Sequence, residues 1–152
     1  MIGKVENIFI TAKSAEPMQA VKSIVAVAGK GIEGDRKYRD GKGGKKDEPE
    51  REITLIEAEA VEAVNRDYPL RIEPIETRRN ILTRDVALAH LVGKTFRVGP
   101  TLLRGIMLCE PCAHLQDMTR KGVMRALLHR GGLRAEIVEG GPITVGDAIT
   151  PA

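Results

Sequence analysis

The sharpest chemical feature of the sequence is Cys109-Glu110-Pro111-Cys112, directly after the apolar stretch TLLRGIML. A C-x-x-C pair can form a reversible disulfide, bind zinc or carry sulfur, and spacing alone does not choose among these. A thioredoxin-type pair needs a strand end opening a helix, whose N-terminus lowers the thiol pKa. Zinc wants four ligands. Cys109, Cys112, His114 and His129 could supply them, but no second C-x-x-C or H-x-x-x-H closes the set. Burial is the plain alternative, because a free cysteine packs as a small hydrophobe. Cys109, at the end of the apolar run, fits burial. Cys112, set outside the strand by Pro111, fits it less well and is the candidate thiolate. His114, two residues on, is the histidine placed for acid–base work, whereas His90 in the apolar segment 87–91 reads as a hydrogen-bonded structural residue.

Three further clusters could bind an anion. In Gly31-Ile32-Glu33-Gly34-Asp35-Arg36 the glycines permit a tight turn, and Arg36 offers a planar fork suited to phosphate, with Asp35 able to orient it. A glycine hairpin carrying a surface ion pair explains the same residues equally well. In Thr77-Arg78-Arg79-Asn80 the two arginines, if in a strand, point to opposite faces, so at most one reaches a given pocket. Asn80 adds both a donor and an acceptor for the edge of a heterocycle. Lys13-Ser14 is an ordinary turn dipeptide by itself. No G-x-S-x-G, H-E-x-x-H, P-loop or paired-carboxylate pattern occurs, so hydrolase readings lack support.

The elements that must hold these residues are short. β-branched runs at 5–11, 20–27, 53–56, 80–83, 95–98, 102–108, 133–138 and 148–150 are separated by glycine-rich turns. Such spacing predicts a sandwich or a barrel rather than a Rossmann-like sheet. Thr54 and Glu57 have the form of a capping box, predicting a helix that runs until Pro69. A second helix is predicted over 121–130, with Val123, Met124, Leu127 and Leu128 on one side and Gly131-Gly132 ending it. The stretch 38–52, reading DGKGGKKDEPERE over most of its length, is expected to be a mobile solvated loop that could order over a ligand as a lid.

At 152 residues, 42% hydrophobic and 30% charged, the chain is expected to be one globular domain, 1–152, needing no disulfide staples. Its 24 basic against 21 acidic residues leave net +3, which invites a nucleic-acid reading. The absence of Trp, with two Tyr and two Phe, argues against one, since few rings remain on which bases could stack. No apolar run approaches the roughly 20 residues of a membrane span, and the opening MIGKVENIFI lacks a signal-peptide layout. Two cysteines make no secreted framework, so the expected location is the cytoplasm, with reduced thiols.

In order and spacing, these pieces together resemble the MOSC domain, named after the C-terminal domain of molybdenum cofactor sulfurases. The similarity takes in Lys13-Ser14, GIEGDR from Gly31, ITLIEAEAVEA from Ile53, RRNILT from Arg78 and LVGKTFRVG from Leu91. It continues through CEPC from Cys109 and RGGLRAEIVEGGPITVGDAI from Arg130. The resemblance implies a mainly β fold, a mixed-strand barrel of the pyruvate-kinase-barrel-like kind decorated by short α-helices. It also implies an anionic molybdenum cofactor (Mo-molybdopterin) in a basic pocket, with Cys112 as the metal ligand and catalytic thiolate. Lys13, Ser14, Asp35, Arg36, Arg78 and Asn80 then fall at cofactor-binding positions. Soft thiolate suits the metal, and Arg and Lys suit phosphate and pterin oxygens. Two activities follow from the resemblance: Mo-dependent reduction of N-hydroxylated compounds, with electrons from a reductase, or sulfur transfer from a desulfurase to a metal–sulfur centre through a Cys112 persulfide. A pyridoxal-phosphate domain is not expected in this chain. A thiol-redox or zinc module built on Cys109 and Cys112, or a non-catalytic adaptor, is the alternative. Two departures stand out: Asp85, where many members have Gly, and the Lys-rich 41–46 loop.

Overall fold

The structure is a computed structural model that describes residues 2–39 and 48–152. Seven strands close into a barrel. In chain order they are β1 (Gly3–Ile10), β5 (Ile53–Glu57), β6 (Ile81–Arg84), β7 (Thr95–Val98), β8 (Thr101–Leu108), β9 (Leu133–Glu139) and β11 (Ala148–Pro151). Around the barrel they run β11-β7-β8-β9-β5-β6-β1, and β1 returns to β11 through Gly3 opposite Ile149. β5 and β6 are parallel and the other barrel pairs antiparallel, so the barrel is mixed as expected. A short strand β2 (Gln19–Val21) extends the sheet beyond β1. A separate small sheet is made by β10 (Gly141–Thr144), β3 (Ser23–Val27) and β4 (Gly31–Ile32).

The alternation of side chains sorts the apolar residues into two cores. Leu55 and Ile81 point into the barrel with Phe96, Leu103 and Leu133. Their neighbours Ile56 and Leu82 point outward and are covered by Val61 and Val64 of helix α1 (Ala58–Asp67), together with Leu115 and Leu127. Parallel neighbours need a crossover connection, and α1 supplies it, which is why β5 and β6 are apolar on both faces. Val5 and Ile8 share the barrel interior although three residues apart, because a bulge between Val5 and Asn7 resets the alternation.

Several sequence expectations need correction. Thr54 caps no helix: it lies within β5, and its Oγ1 donates to Asn80 Oδ1, while extended Glu57 is the residue that precedes α1. The second predicted helix shrinks to α3 (Val123–Ala126); Leu127 is buried but Met124 and Leu128 face solvent. The chain then bends through His129, whose φ is 64°, into the glycine pair. A further helix, α2 (Ala113–Met118), follows the cysteines, and β4 and β10 were not among the predicted strands. His90 is exposed. Asp85 takes the left-handed conformation (φ 65°) that glycine would favour, its N–H donating to Glu59 Oε2 at 2.8 Å. Residues 40–47, most of the charged loop and all of the Lys-rich part, lie outside the described residues. Its later part forms a single 3-10 turn, Pro49–Arg51.

Candidate functional site

Both cysteines belong to the link between β8 and α2, and the glycine pair at the start of β9 sets the shape of that link. The Cys109 N–H donates to the Gly132 carbonyl at 2.7 Å. A Cβ on Gly131 would stand 2.4 Å from the Cys109 oxygen, so only glycine allows this approach. Cys109 is thereby turned inward, 1% exposed, while Cys112 is exposed at the residue preceding α2.

Arg79 pins the same link from below. Its Nε donates to the Gly131 carbonyl at 2.8 Å and its Nη2 to the Cys109 carbonyl at 3.2 Å. Arg79 is buried and forms no ion pair with a carboxylate among the described residues, so its charge is held by carbonyl dipoles alone. Burial holds its guanidinium below the usual range, and does the same to Arg78. Both remain cationic, because a guanidinium does not give up its proton in a folded protein.

Arg78 is not in a strand. It adopts φ 62° as the residue that ends the 3-10 turn Pro74–Thr77, so the strand rule that would send Arg78 and Arg79 to opposite faces does not apply. Both arginines line one cavity of about 590 Å³, with Cys112, Arg36, Lys37 and Arg134. Arg78 Nη1 and Nη2 donate to the Glu16 and Ser14 carbonyls at 2.8 and 2.7 Å, which brings Ser14 to the cavity wall. Arg36 is aimed by Asp35, whose Oδ1 accepts from its Nη1 at 3.0 Å and from the Thr11 N–H at 3.2 Å. Arg36 also donates to the Arg78 carbonyl at 3.2 Å.

The other candidates lie elsewhere. Lys13 borders a different hollow, with Thr11 and Gln19, and does not line the cavity. Asn80 is 1% exposed: its Oδ1 accepts from the Thr54 N–H and hydroxyl, and its Nδ2 donates to the Phe9 carbonyl. That amide ties β5 and β1 beside β6. His114 lines the cavity; His129 instead pairs with Glu110, Nδ1 to Oε2 3.1 Å.

Sequence reasoning missed Lys37 and Arg134, and it admitted only one of Arg78 and Arg79 to the pocket, where the structure places both. Lys37 directly follows Asp35-Arg36, and Arg134, the second residue of β9, follows Gly131-Gly132 by two, so both stand close to a motif. The Lys37 ammonium is lowered to about 8, by burial first and by Arg36 second. Six basic side chains, those of Arg36, Lys37, Arg51, Arg78, Arg79 and Arg134, thus line the cavity with one carboxylate, that of Glu50, while Asp35 and Glu48 pair with Arg36 and Arg51 from outside the lining. Among the described residues no group of three His, Cys, Asp or Glu could hold a metal ion, so a zinc module has no ligand set there.

The family model for the MOSC domain matches residues 39–150. The chain belongs to the MOSC domain family. This family is associated with molybdenum-cofactor-related function. Its fold recurs in the YuaD protein of Bacillus subtilis, with a TM-score of 0.83 at 18% identity, covering 98% of this chain and 94% of that one. YiiM from Escherichia coli gives 0.71 at 18% identity, over 98% of this MOSC chain and 69% of YiiM. YiiM from Geobacillus stearothermophilus gives 0.74 at 13%, over 99% and 75%. At these identities the likeness concerns the fold. Among curated proteins none matches the chain. No helix among the described residues is long and apolar enough to cross a membrane.

Proposed function

We propose that this MOSC protein binds a molybdenum cofactor in the cationic cavity, with Cys112 as the thiolate ligand to the metal. The observation that carries the reading is the juxtaposition of one exposed thiol with six basic side chains in a single cavity. The donor set fits the group: a soft thiolate for molybdenum, and guanidinium and ammonium groups for phosphate and pterin oxygens. Bound there, the cofactor would supply two-electron metal chemistry, suited to reducing N-hydroxylated compounds with electrons from a partner reductase.

The chain's own residues then divide the work. Arg79 and the glycine pair fix the backbone from which Cys112 projects. Arg36, oriented by Asp35, and the half-buried Lys37 and Arg134 would face the anion, while Arg78 holds the Ser14 segment against it. His114, exposed on the cavity wall, is the group able to exchange a proton there. Sulfur delivery through a Cys112 persulfide would use the same thiol and cations.

Protein purified from a cofactor-producing host is expected to carry molybdenum and pterin in near-equal amounts, and Cys112→Ser to lose the metal while keeping its fold. Elemental and pterin analysis decides. Protein that never contains either, where a known carrier made in the same host does, overturns the reading.

A further inference from the structure

A second cavity, of about 310 Å³, lies against the cationic one. Arg78 lines both. The same two segments face both spaces: Ser14 the first and Ala15 the second, and along α2 His114 and Leu115 the first, Met118 and the following Thr119 the second. The lining is more apolar across that wall. Beside Glu76, Arg78 and Thr119, the second cavity is lined by Ala15, Pro17, Met18, Ile75 and Met118.

Its polar groups are already engaged within the protein. Arg78 spends Nη1 and Nη2 on the Glu16 and Ser14 carbonyls. Glu76 accepts from Arg120 Nη2 at 2.8 Å through Oε2 and from the Glu73 N–H at 2.9 Å through Oε1. The Thr119 hydroxyl donates to the Leu115 carbonyl at 2.7 Å. An ion entering this space would shed its hydration beside a carboxylate and a guanidinium that already hold partners, so the cavity favours a neutral group. Two thioethers border it: Met18 Sδ already accepts from Arg36 Nη1 at 3.3 Å, while Met118 offers a polarisable sulfur of the kind that favours the edge of an aromatic ring. The volume is at the low end of ligand pockets, enough for one substituted ring.

We infer that this second cavity binds the uncharged aromatic portion of a small-molecule ligand whose polar end reaches the cationic cavity past Arg78. That this ligand is the substrate of the Cys112 centre rests on the function proposed above; the ring site itself does not. A small-molecule substrate with a neutral ring favours reduction over protein-to-protein sulfur delivery.

The five methionines provide the test. With methyl-13C-methionine in the full, metal-free chain, Met18 and Met118 report the second cavity, Met107 the cationic one, and exposed Met124 on α3 serves as reference. Benzamide is expected to shift the Met18 and Met118 methyls saturably and leave Met107 in place. Benzylamine, of similar size but cationic, should need roughly tenfold more or fail. Ala15→Phe, a change at an exposed position, should fill the space and abolish the benzamide response with the Met107 and Met124 signals unmoved. Met118→Leu should keep the cavity apolar and weaken ring binding only modestly. No saturable shift at Met18 and Met118, equal binding of benzylamine, equal binding of cyclohexanecarboxamide, or a response centred on Met107 overturns the inference. A phosphate titration run alongside keeps the two claims apart. Its failure to move Met107 counts against the cofactor reading and leaves the ring result standing.

Discussion

Arg78, Arg79 and Asn80 are consecutive, yet the fold gives them three separate tasks. Arg78 clamps the 14–16 segment, Arg79 underpins the cysteine link, and Asn80 ties two barrel strands. Asn80 was expected at the cofactor; its buried, fully bonded amide makes stability its measurable contribution. Asn80→Ala leaves the Thr54 N–H without its acceptor and removes a donor from the Phe9 carbonyl. It should cost about 2–4 kcal/mol, read as a lower urea midpoint with unchanged slope. Lys37 makes the opposite prediction, about affinity. Burial first, then Arg36, lower its ammonium to about 8, with Arg134 and Arg79 adding and Cys109 opposing. Below that pH Lys37 is charged and attracts an anion; above it the charge is lost. Phosphate affinity should therefore fall as pH rises through about 8, and binding above that pH should take up a proton, because the anion favours the charged amine. Calorimetry in two buffers of different ionisation enthalpy measures the uptake, and Lys37→Met should abolish it.

At the scale of elements, the strands were legible because each apolar run ends at a glycine or a polar turn. Segment 95–98 was predicted with the bounds of β7, and 102–108 differs from β8 by one residue. The misses have physical causes. β4 is two residues long and β10 contains Gly141 and Pro142, so neither has the alternation that marks a strand. Thr54-Glu57 mimicked a helix cap, but tertiary pairing with Asn80 placed Thr54 in the sheet. In the site, Cys112, Arg36 and Arg78 stood out by residue type. Lys37 and Arg134 did not, because their approach to Cys112 depends on how β9 and the turn after β4 meet. The glycine pair before β9 is the element on which that meeting depends. Gly132 has φ 113°, and a Cβ there would lie 2.1 Å from the Leu55 oxygen. Gly131→Ala, with its methyl driven against the Cys109 carbonyl, should loosen the link. Cys109 should then become accessible to iodoacetamide, at a rate at least roughly tenfold above that of the parent protein, in which burial protects it. Mass spectrometry of the alkylated peptides separates Cys109 from Cys112.

For the molecule as a whole, net +3 understates how unevenly charge is placed. Over the outer surface several arginines are neutralised in pairs: Arg84 with Glu6 at 2.6 Å, Arg97 with Glu139 at 2.8 Å, Arg120 with Glu76 at 2.8 Å, and Arg104 with Glu136. Those pairs are exposed or half-exposed, and each is worth no more than about 1 kcal/mol. Of the cations that line the cavity, Arg36 pairs with Asp35 and Arg51 with Glu48, whereas Lys37, Arg78, Arg79 and Arg134 form no ion pair among the described residues, and walls of low dielectric concentrate their field. Salt should therefore act on two properties very differently. Raising sodium chloride from about 50 to 500 mM shortens the screening length from roughly 14 to 4 Å, so phosphate affinity should drop several-fold. The urea midpoint should barely move over the same range, because few of the surface pairs it would weaken contribute to stability. A binding constant indifferent to salt would mean that the cavity cations serve solubility, like scattered surface lysines, and do not act together on an anion. Arg134→Gln sharpens the comparison: it removes one cation from the wall without a described hydrogen bond, so affinity should fall and the salt dependence should flatten, with the barrel intact.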